Sequence, residues 1–137
     1  MSLVLDASMT IAWLFDDERT DGSAAALRRV RDEGAVVPSL WRLEVANVLR
    51  NVVRRGRCDH DYVDRSIDRL RRLPITVDTE TDARAWDATR LLARATDLTL
   101  YDAAYLELAI RLGVPLASRD RVLCAAALSH GVTLVGT

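Results

Sequence analysis

A chain of 137 residues is long enough to bury one core but not two. Half of it is apolar with few aromatics, a balance that suits helix-rich α/β packing rather than a β-sandwich. A formal net charge of −1 gives no global attraction for a polyanion, no apolar run approaches the roughly 18 residues of a membrane span, and the start Met1-Ser2-Leu3-Val4-Leu5-Asp6 lacks the basic lead of a signal peptide.

In chain order, Leu3-Val4-Leu5 reads as a short buried strand ending at Asp6, and Asp6-Ala7-Ser8 opens a helix through Trp13, Leu14 and Phe15. Asp16, Asp17 and Glu18 form an acidic turn. A second helix covers about 21–33 and stops at Gly34, and Ala35-Val36-Val37 is the next strand, closed by Pro38. Ser39 is placed to cap a long helix over 40–55 that ends at Gly56. Asp59 caps a further helix, about 61–73, and Pro74 introduces the strand Ile75-Thr76-Val77. A helix from Thr79 or Thr81 to about Arg94 follows. The segment Leu100 to Asp120 then supplies a helix to Gly113, a turn at Pro115, the strand Leu116-Ala117-Ser118 and a closing acid. A helix over 121–130 and a strand over 132–135 finish the chain. Glycines 34, 56, 113 and 131 fall just past helices, where a left-handed cap favours a residue without Cβ. The expected fold is α/β, a mostly parallel five-stranded central sheet sandwiched between helices, with right-handed crossovers. The whole chain, 1–137, reads as a single domain.

Most of the twenty acids need no explanation beyond solvent, but four are out of place. Asp6 ends the first strand and Asp120 follows the strand at 116–118, so both belong to the carboxyl edge of a parallel sheet, where ligands bind. Each is also a good helix-start residue: Asp6 as an N-cap, Asp120 as a first-turn acid behind a Ser118 cap. Asp102 opens a helix reached from the same edge, and Thr99-Leu100-Tyr101-Asp102 equally fits a capping box. Glu44 falls in the apolar stripe Trp41, Val45, Val48, Leu49, Val52, where an ionised carboxylate is costly unless paired or bound to a metal. Its alternative is an ion pair with Arg42, which lies off that stripe. Gathered in one cleft, four carboxylates repel, and a divalent cation is the natural remedy. Oxygen ligands without clustered His or Cys select Mg²⁺ or Mn²⁺ over zinc. Cys58 and Cys124 are far apart and suggest ordinary thiols of a reducing cytoplasm.

With those residues identified, the chain resembles the PIN-domain ribonucleases and, within them, the VapC-type toxins of toxin–antitoxin pairs. The resemblance rests on Leu3-Val-Leu-Asp-Ala-Ser8, Trp41-Arg-Leu-Glu-Val-Ala-Asn-Val-Leu49, Leu100-Tyr-Asp-Ala-Ala-Tyr-Leu106 and Pro115-Leu-Ala-Ser-Arg-Asp120, in order and at matching spacing across essentially the whole chain. It implies a PIN-like three-layer sandwich and an Mg²⁺- or Mn²⁺-dependent endoribonuclease, with Asp6, Glu44, Asp102 and Asp120 as the acidic quartet. Asp6 and Asp102 are implied as direct metal ligands, with Glu44 and Asp120 completing the shell partly through water, and cleavage leaves 5′-phosphate and 3′-hydroxyl ends. Ser118 stands where the family often has threonine, and Ser8 is expected to hydrogen-bond Asp6. The resemblance also implies RNA as substrate, a cognate VapB-like antitoxin that silences the cleft, and a homodimer.

Other features carry simpler readings. Asp59-His60-Asp61 is a polar helix start rather than a ligand cluster. His130 complements a helix C-terminus, and Asp97 is loop, standing in for Asp102 only if the latter is a pure cap. Every basic residue is an arginine. Arg54-Arg55-Arg57 and Arg69-Arg71-Arg72 read as solvated helix faces, whereas Arg119 and Arg121 flank Asp120 and are better placed for a substrate phosphate. Trp13, Trp41 and Trp86 are expected in core or dimer contacts. Phosphoreceiver domains, haloacid-dehalogenase-type phosphatases and P-loop NTPases all depend on a lysine, which this chain lacks. The competing function is a PIN-like module that binds RNA or a partner without cutting it. Cleavage of single-stranded DNA is permitted by the same chemistry.

Overall fold

The computed structural model describes residues 2–137. Five strands, β1 (Leu3–Leu5), β2 (Ala35–Val37), β3 (Ile75–Val77), β4 (Leu116–Ala117) and β5 (Leu134–Val135), form one sheet in the order β3-β2-β1-β4-β5. Every pairing is parallel. Strands this short suffice because the central ones are buried on both faces: Leu3, Val4, Leu5, Leu116 and Ala117 are all fully inaccessible, as a parallel sheet covered by helices requires. The chain runs outward from β1 in both directions, so the strand order reverses beside β1. A crevice opens outside the carboxyl ends of strands at such a reversal.

The helices are α1 (Ala7–Ala12), α2 (Asp21–Glu33), α3 (Trp41–Arg54), α4 (His60–Arg71), α5 (Thr81–Arg84), α6 (Arg90–Thr96), α7 (Leu100–Leu112) and α8 (Arg121–Ser129). α7 is the central one. Its residues 103–109 are all buried, including Tyr105, Leu106 and Leu108, and it packs against both β1 and β4. Asp59 caps α4 through the Tyr62 amide, and His130 Nδ1 lies 3.0 Å from the Ala126 carbonyl at the end of α8, both as expected.

Four local expectations are corrected. The first helix ends at Ala12 instead of reaching Phe15, and past that point the Trp13 and Leu14 carbonyls accept from the Arg19 guanidinium and the Tyr62 hydroxyl rather than from further helical amides. Ser39 does not cap α3. Leu40 holds that position without a side-chain cap, while Ser39 donates through Oγ to Asp82 Oδ1 at 3.0 Å and through its amide to Thr81 Oγ1 at 3.2 Å. The helix expected to reach Arg94 is interrupted by a π turn, Ala85–Thr89, and runs on to Thr96, where Asp97 closes it in the left-handed region at φ 59°. The wider turn changes the face that a strict 3.6-residue period assigns. Trp86 accordingly stands 83% exposed, whereas Trp13 and Trp41 are core residues. The last strand is also shorter than 132–135, since only Leu134–Val135 pairs.

One ion network ties α7 to the end of β3. Arg111 donates to both carboxylate oxygens of Asp78, at 2.8 and 3.1 Å, and to Glu107 at 2.9 Å. All three side chains are largely buried, and the guanidinium holds the Asp78 carboxyl below the ordinary carboxylate range. Removing one partner of a buried pair leaves an uncompensated charge, which typically costs about 3–5 kcal/mol. Arg111→Met is therefore expected to lower the urea-unfolding stability by about 3 kcal/mol. A loss under 1 kcal/mol would show that water already solvates Asp78 and Glu107.

Candidate acidic site at the carboxyl edge of the sheet

Asp6 follows β1 directly. Its amide donates to the Ala117 carbonyl at 3.1 Å, which extends the β1–β4 ladder and fixes the side chain over the reversal point. The carboxylate caps α1 by accepting from the Met9 amide at 2.9 Å. It also accepts from Ser8 Oγ at 2.7 Å and from Ser118 Oγ at 2.5 Å. The two hydroxyls are held in turn: the Arg119 amide donates to Ser8 Oγ at 2.8 Å and the Asp120 amide to Ser118 Oγ at 3.0 Å. The expected Ser8–Asp6 bond is thus present, and Ser118 does the same from the other side.

Asp120, not Ser118, is the cap of α8, with Oδ1 accepting from the Val122 and Leu123 amides at 2.9 and 3.1 Å. Asp102 sits in the first turn of α7, where Thr99 Oγ1 accepts from its amide at 3.1 Å. Glu44 sits in the first turn of α3. Arg42 is exposed and forms no ion pair with it among the described residues. The partner is Tyr105 of α7, whose hydroxyl donates to Glu44 Oε1 at 2.5 Å. Val48, expected in the core, is 36% exposed and forms an apolar wall of the same cleft.

All four singled-out acids line one pocket of about 470 Å³, together with Ser8, Ile11, Tyr105 and Arg119. The structure thus brings together residues from positions 6, 44, 102 and 120. Two pocket residues had no assigned role in the sequence reading. Tyr105 was within reach of it, being one turn beyond Asp102 and so on the same helix face. Glu18, from the acidic turn at Asp16–Glu18, lines the pocket too, and no periodicity in the sequence points to it.

Burial drives the electrostatics. Asp6 is only 4% exposed, and desolvation pushes its carboxyl from the ordinary 3.8 up to about 6, against the opposing hydrogen bonds from Ser118, Met9 and Ser8. Glu44 is raised by burial, with the Asp102 charge adding to it, and Asp102 by burial and the Asp120 charge. No basic side chain opposes these three shifts. Arg119 borders the pocket, but its Nη1 donates to the Glu18 carbonyl at 2.5 Å.

The donor set consists of carboxylates and hydroxyls with no His or Cys, which suits a hard divalent cation. Among the described residues no three His, Cys, Asp or Glu side chains close on a common point tightly enough to form a ready-made metal cage. The acids surround a shared space instead, as like charges do, which leaves room for the several waters that Mg²⁺ retains. In donor type the residues suit such an ion, and in spacing they form no direct cage for it.

The raised Asp6 pKa has a definite sign in folding. The folded protein binds the Asp6 proton up to about pH 6 and the unfolded chain only to about pH 4. Stability from this group therefore falls as pH rises through that window. Two pKa units correspond to roughly 3 kcal/mol. Asp6→Asn, neutral throughout, is expected to raise metal-free stability at pH 7 by about 1–3 kcal/mol and to change it little at pH 4, by urea unfolding in EDTA. A variant less stable than wild type at pH 7 would mean that the Ser8, Ser118 and Met9 bonds outweigh the buried charge.

Comparison with known proteins places this geometry. Residues 3–128 match the PIN domain family model. Ribonuclease VapC12 of Mycobacterium tuberculosis is 34% identical over 134 residues, covering 94% of this chain and 92% of that protein. Ribonuclease VapC3 of Pyrobaculum aerophilum is 30% identical over 123 residues, covering 90% and 92%. Among solved structures, PAE2754 from Pyrobaculum aerophilum superposes with a TM-score of 0.72 at 24% identity, over 98% of this chain and 89% of that one. VapC20 of Mycobacterium tuberculosis, described as a Sarcin-Ricin loop cleaving toxin, gives 0.61 at 16% identity, over 90% and 94%. These two likenesses establish the PIN-like α/β fold. By the family model and by relatives at 30% identity and above over nearly full length, this chain belongs to the PIN-domain family, in its VapC branch.

Proposed function

We propose that this chain is a divalent-metal-dependent endoribonuclease of the VapC type, with Asp6, Glu44, Asp102 and Asp120 as its acidic quartet. The observation that carries the reading is the pocket itself: three carboxyls raised by burial, a fourth beside them, and no basic partner for any of them. A chain that pairs its other buried acids with Arg111 leaves these open to a cation. Asp6 and Asp102 are the proposed direct ligands. Glu44 and Asp120 orient water around them, and Ser8 and Ser118 hold the Asp6 carboxylate in place. A bound Mg²⁺ or Mn²⁺ supplies charge neutralisation at the scissile phosphate and a more acidic water. Arg119, at the rim, is the cation available to an incoming phosphate. Val48 and Ile11 form apolar walls of the pocket.

The relatives' names further support RNA as the substrate, and the partner we propose is a VapB-like antitoxin that silences the cleft. We place the protein in the cytoplasm, as one domain that pairs into a homodimer. The 83% exposed Trp86 is a large apolar side chain that such a dimer would cover. No helix among the described residues is long and apolar enough to cross a membrane.

The test combines binding and cleavage. Mn²⁺ is expected to raise the thermal midpoint of the wild-type protein by several degrees and to support cleavage of structured RNA with a 5′-phosphate product. Asp6→Asn or Asp102→Asn is expected to remove both, lowering the cleavage rate by about a thousand-fold or more, on the scale of the several kcal/mol that a metal contributes. Full activity in either variant refutes the scheme. RNA binding without Mn²⁺ stabilisation or cleavage would instead make the chain a non-cutting PIN module.

A further inference from the structure

Tyr105 is 1% exposed, yet its hydroxyl reaches the acidic pocket and donates to Glu44 Oε1 at 2.5 Å. Glu44 Oε2 accepts no hydrogen bond among the described residues. Resting on the nuclease reading above, we propose that Tyr105 is a positioning residue, whose hydroxyl holds Glu44 by one oxygen and leaves the other to serve the reaction.

The argument is one of freedom and its removal. A glutamate reaches its target through three rotatable bonds, and a half-buried one beside other acids is driven outward by their charge. The backbone of α3 is already located, because Trp41 Nε1 donates to Thr10 Oγ1 at 3.0 Å and Thr10 Oγ1 to the Asp6 carbonyl at 2.8 Å. That chain of bonds sets the helix carrying Glu44 against the strand end carrying Asp6, but it does not reach the Glu44 carboxylate. Tyr105 does. Its ring is clamped in the core on two torsions, so its hydroxyl is a fixed point. A neutral donor is also the right kind of anchor here. An arginine in its place would neutralise the site electrostatically and compete with a cation, as Arg111 neutralises Asp78 and Glu107 elsewhere in the chain. The hydroxyl holds the carboxylate without cancelling its charge.

Tyr105→Phe removes the hydroxyl and keeps the ring. With Mn²⁺ and an RNA substrate, the variant is expected to keep KM within about two-fold and to lose roughly 10- to 100-fold in kcat, the range seen when groups supporting a metal's ligands are removed. The Mn²⁺ concentration at half-maximal thermal stabilisation is expected to rise several-fold. In a Glu44→Ala background the same substitution is expected to leave that concentration unchanged, because there is no carboxylate left to hold. A tyrosine that merely fills the core would give equal effects in both backgrounds, and that result overturns the proposal. So does a Tyr105→Phe variant with wild-type kcat and Mn²⁺ response. A wild-type protein that neither binds Mn²⁺ nor cleaves RNA sinks the nuclease reading first and this role with it. Cleavage by wild type and by Tyr105→Phe alike sinks only the role of Tyr105.

Discussion

Asp6 is held at the end of the middle strand by three donors, the Ser8 and Ser118 hydroxyls and the Met9 amide, but by no cation. Those hydrogen bonds favour the charged form, and burial disfavours it more strongly, which is why the carboxyl sits near 6 rather than below 4. The rest of the site depends on this imbalance. Because Asp6 extends the β1–β4 ladder, it cannot swing away to relieve its desolvation. The segment 118–120, which leaves β4, closes on it through Ser118 and Arg119. The strand-order reversal, which any parallel sheet of this topology possesses, is thereby turned into a pocket with a built-in negative charge.

The same chain shows the other solution to a buried acid. Glu107 is nearly as inaccessible as Asp6 and Asp78 is partly buried, yet Arg111 forks between them, and the Asp78 pKa is lowered instead of raised. Nineteen arginines were available to evolution for the pocket, and the one at its rim is tied to the Glu18 carbonyl. Paired acids stabilise the fold and have no capacity left for a ligand. The acids of the pocket lack that compensation, so any divalent ion that enters gains attraction that folding leaves unused. The contrast within one molecule is a stronger argument than the presence of acids alone, since it shows what these surroundings look like when the charge is merely structural.

Much of this was legible in the sequence, for reasons that differ by residue. The strands and their order of appearance followed from short apolar runs bounded by proline and glycine. Glu44 stood out because it interrupts a helical stripe. The limits of legibility were local and tertiary. At the end of α1 the Arg19 and Tyr62 side chains take the Trp13 and Leu14 carbonyls, which a propensity window does not register. Ser39 was drawn from its cap by Thr81 and Asp82, more than forty positions on. A π turn moved Trp86 to the outside, and the Glu44 partner lies sixty-one residues away in Tyr105. The Ser39 and Glu44 misses are contacts between distant segments, and local pattern carries no term for them.

The instructive case is the choice between cap and ligand, posed separately for Asp6, Asp102 and Asp120. Taken one residue at a time, the cap explained Asp6 and Asp120 well, and both do cap helices. But a carboxylate has two oxygens and about four acceptor sites. Asp120 meets both amides of α8 with Oδ1 alone, and Asp6 receives the Met9 amide on Oδ1 while Oδ2 accepts from Ser118 and Ser8. Capping therefore fixes the orientation of the group without exhausting it. It also adds the positive end of a helix dipole behind the carboxylate, which steadies the charge in the absence of any ion. The two readings are not alternatives, because the cap is what aims the carboxylate into the pocket. Where a parallel strand ends in an acid that also starts a helix, the local role is then no argument against a site. The deciding fact is whether other acids, from elsewhere in the chain, are aimed at the same space.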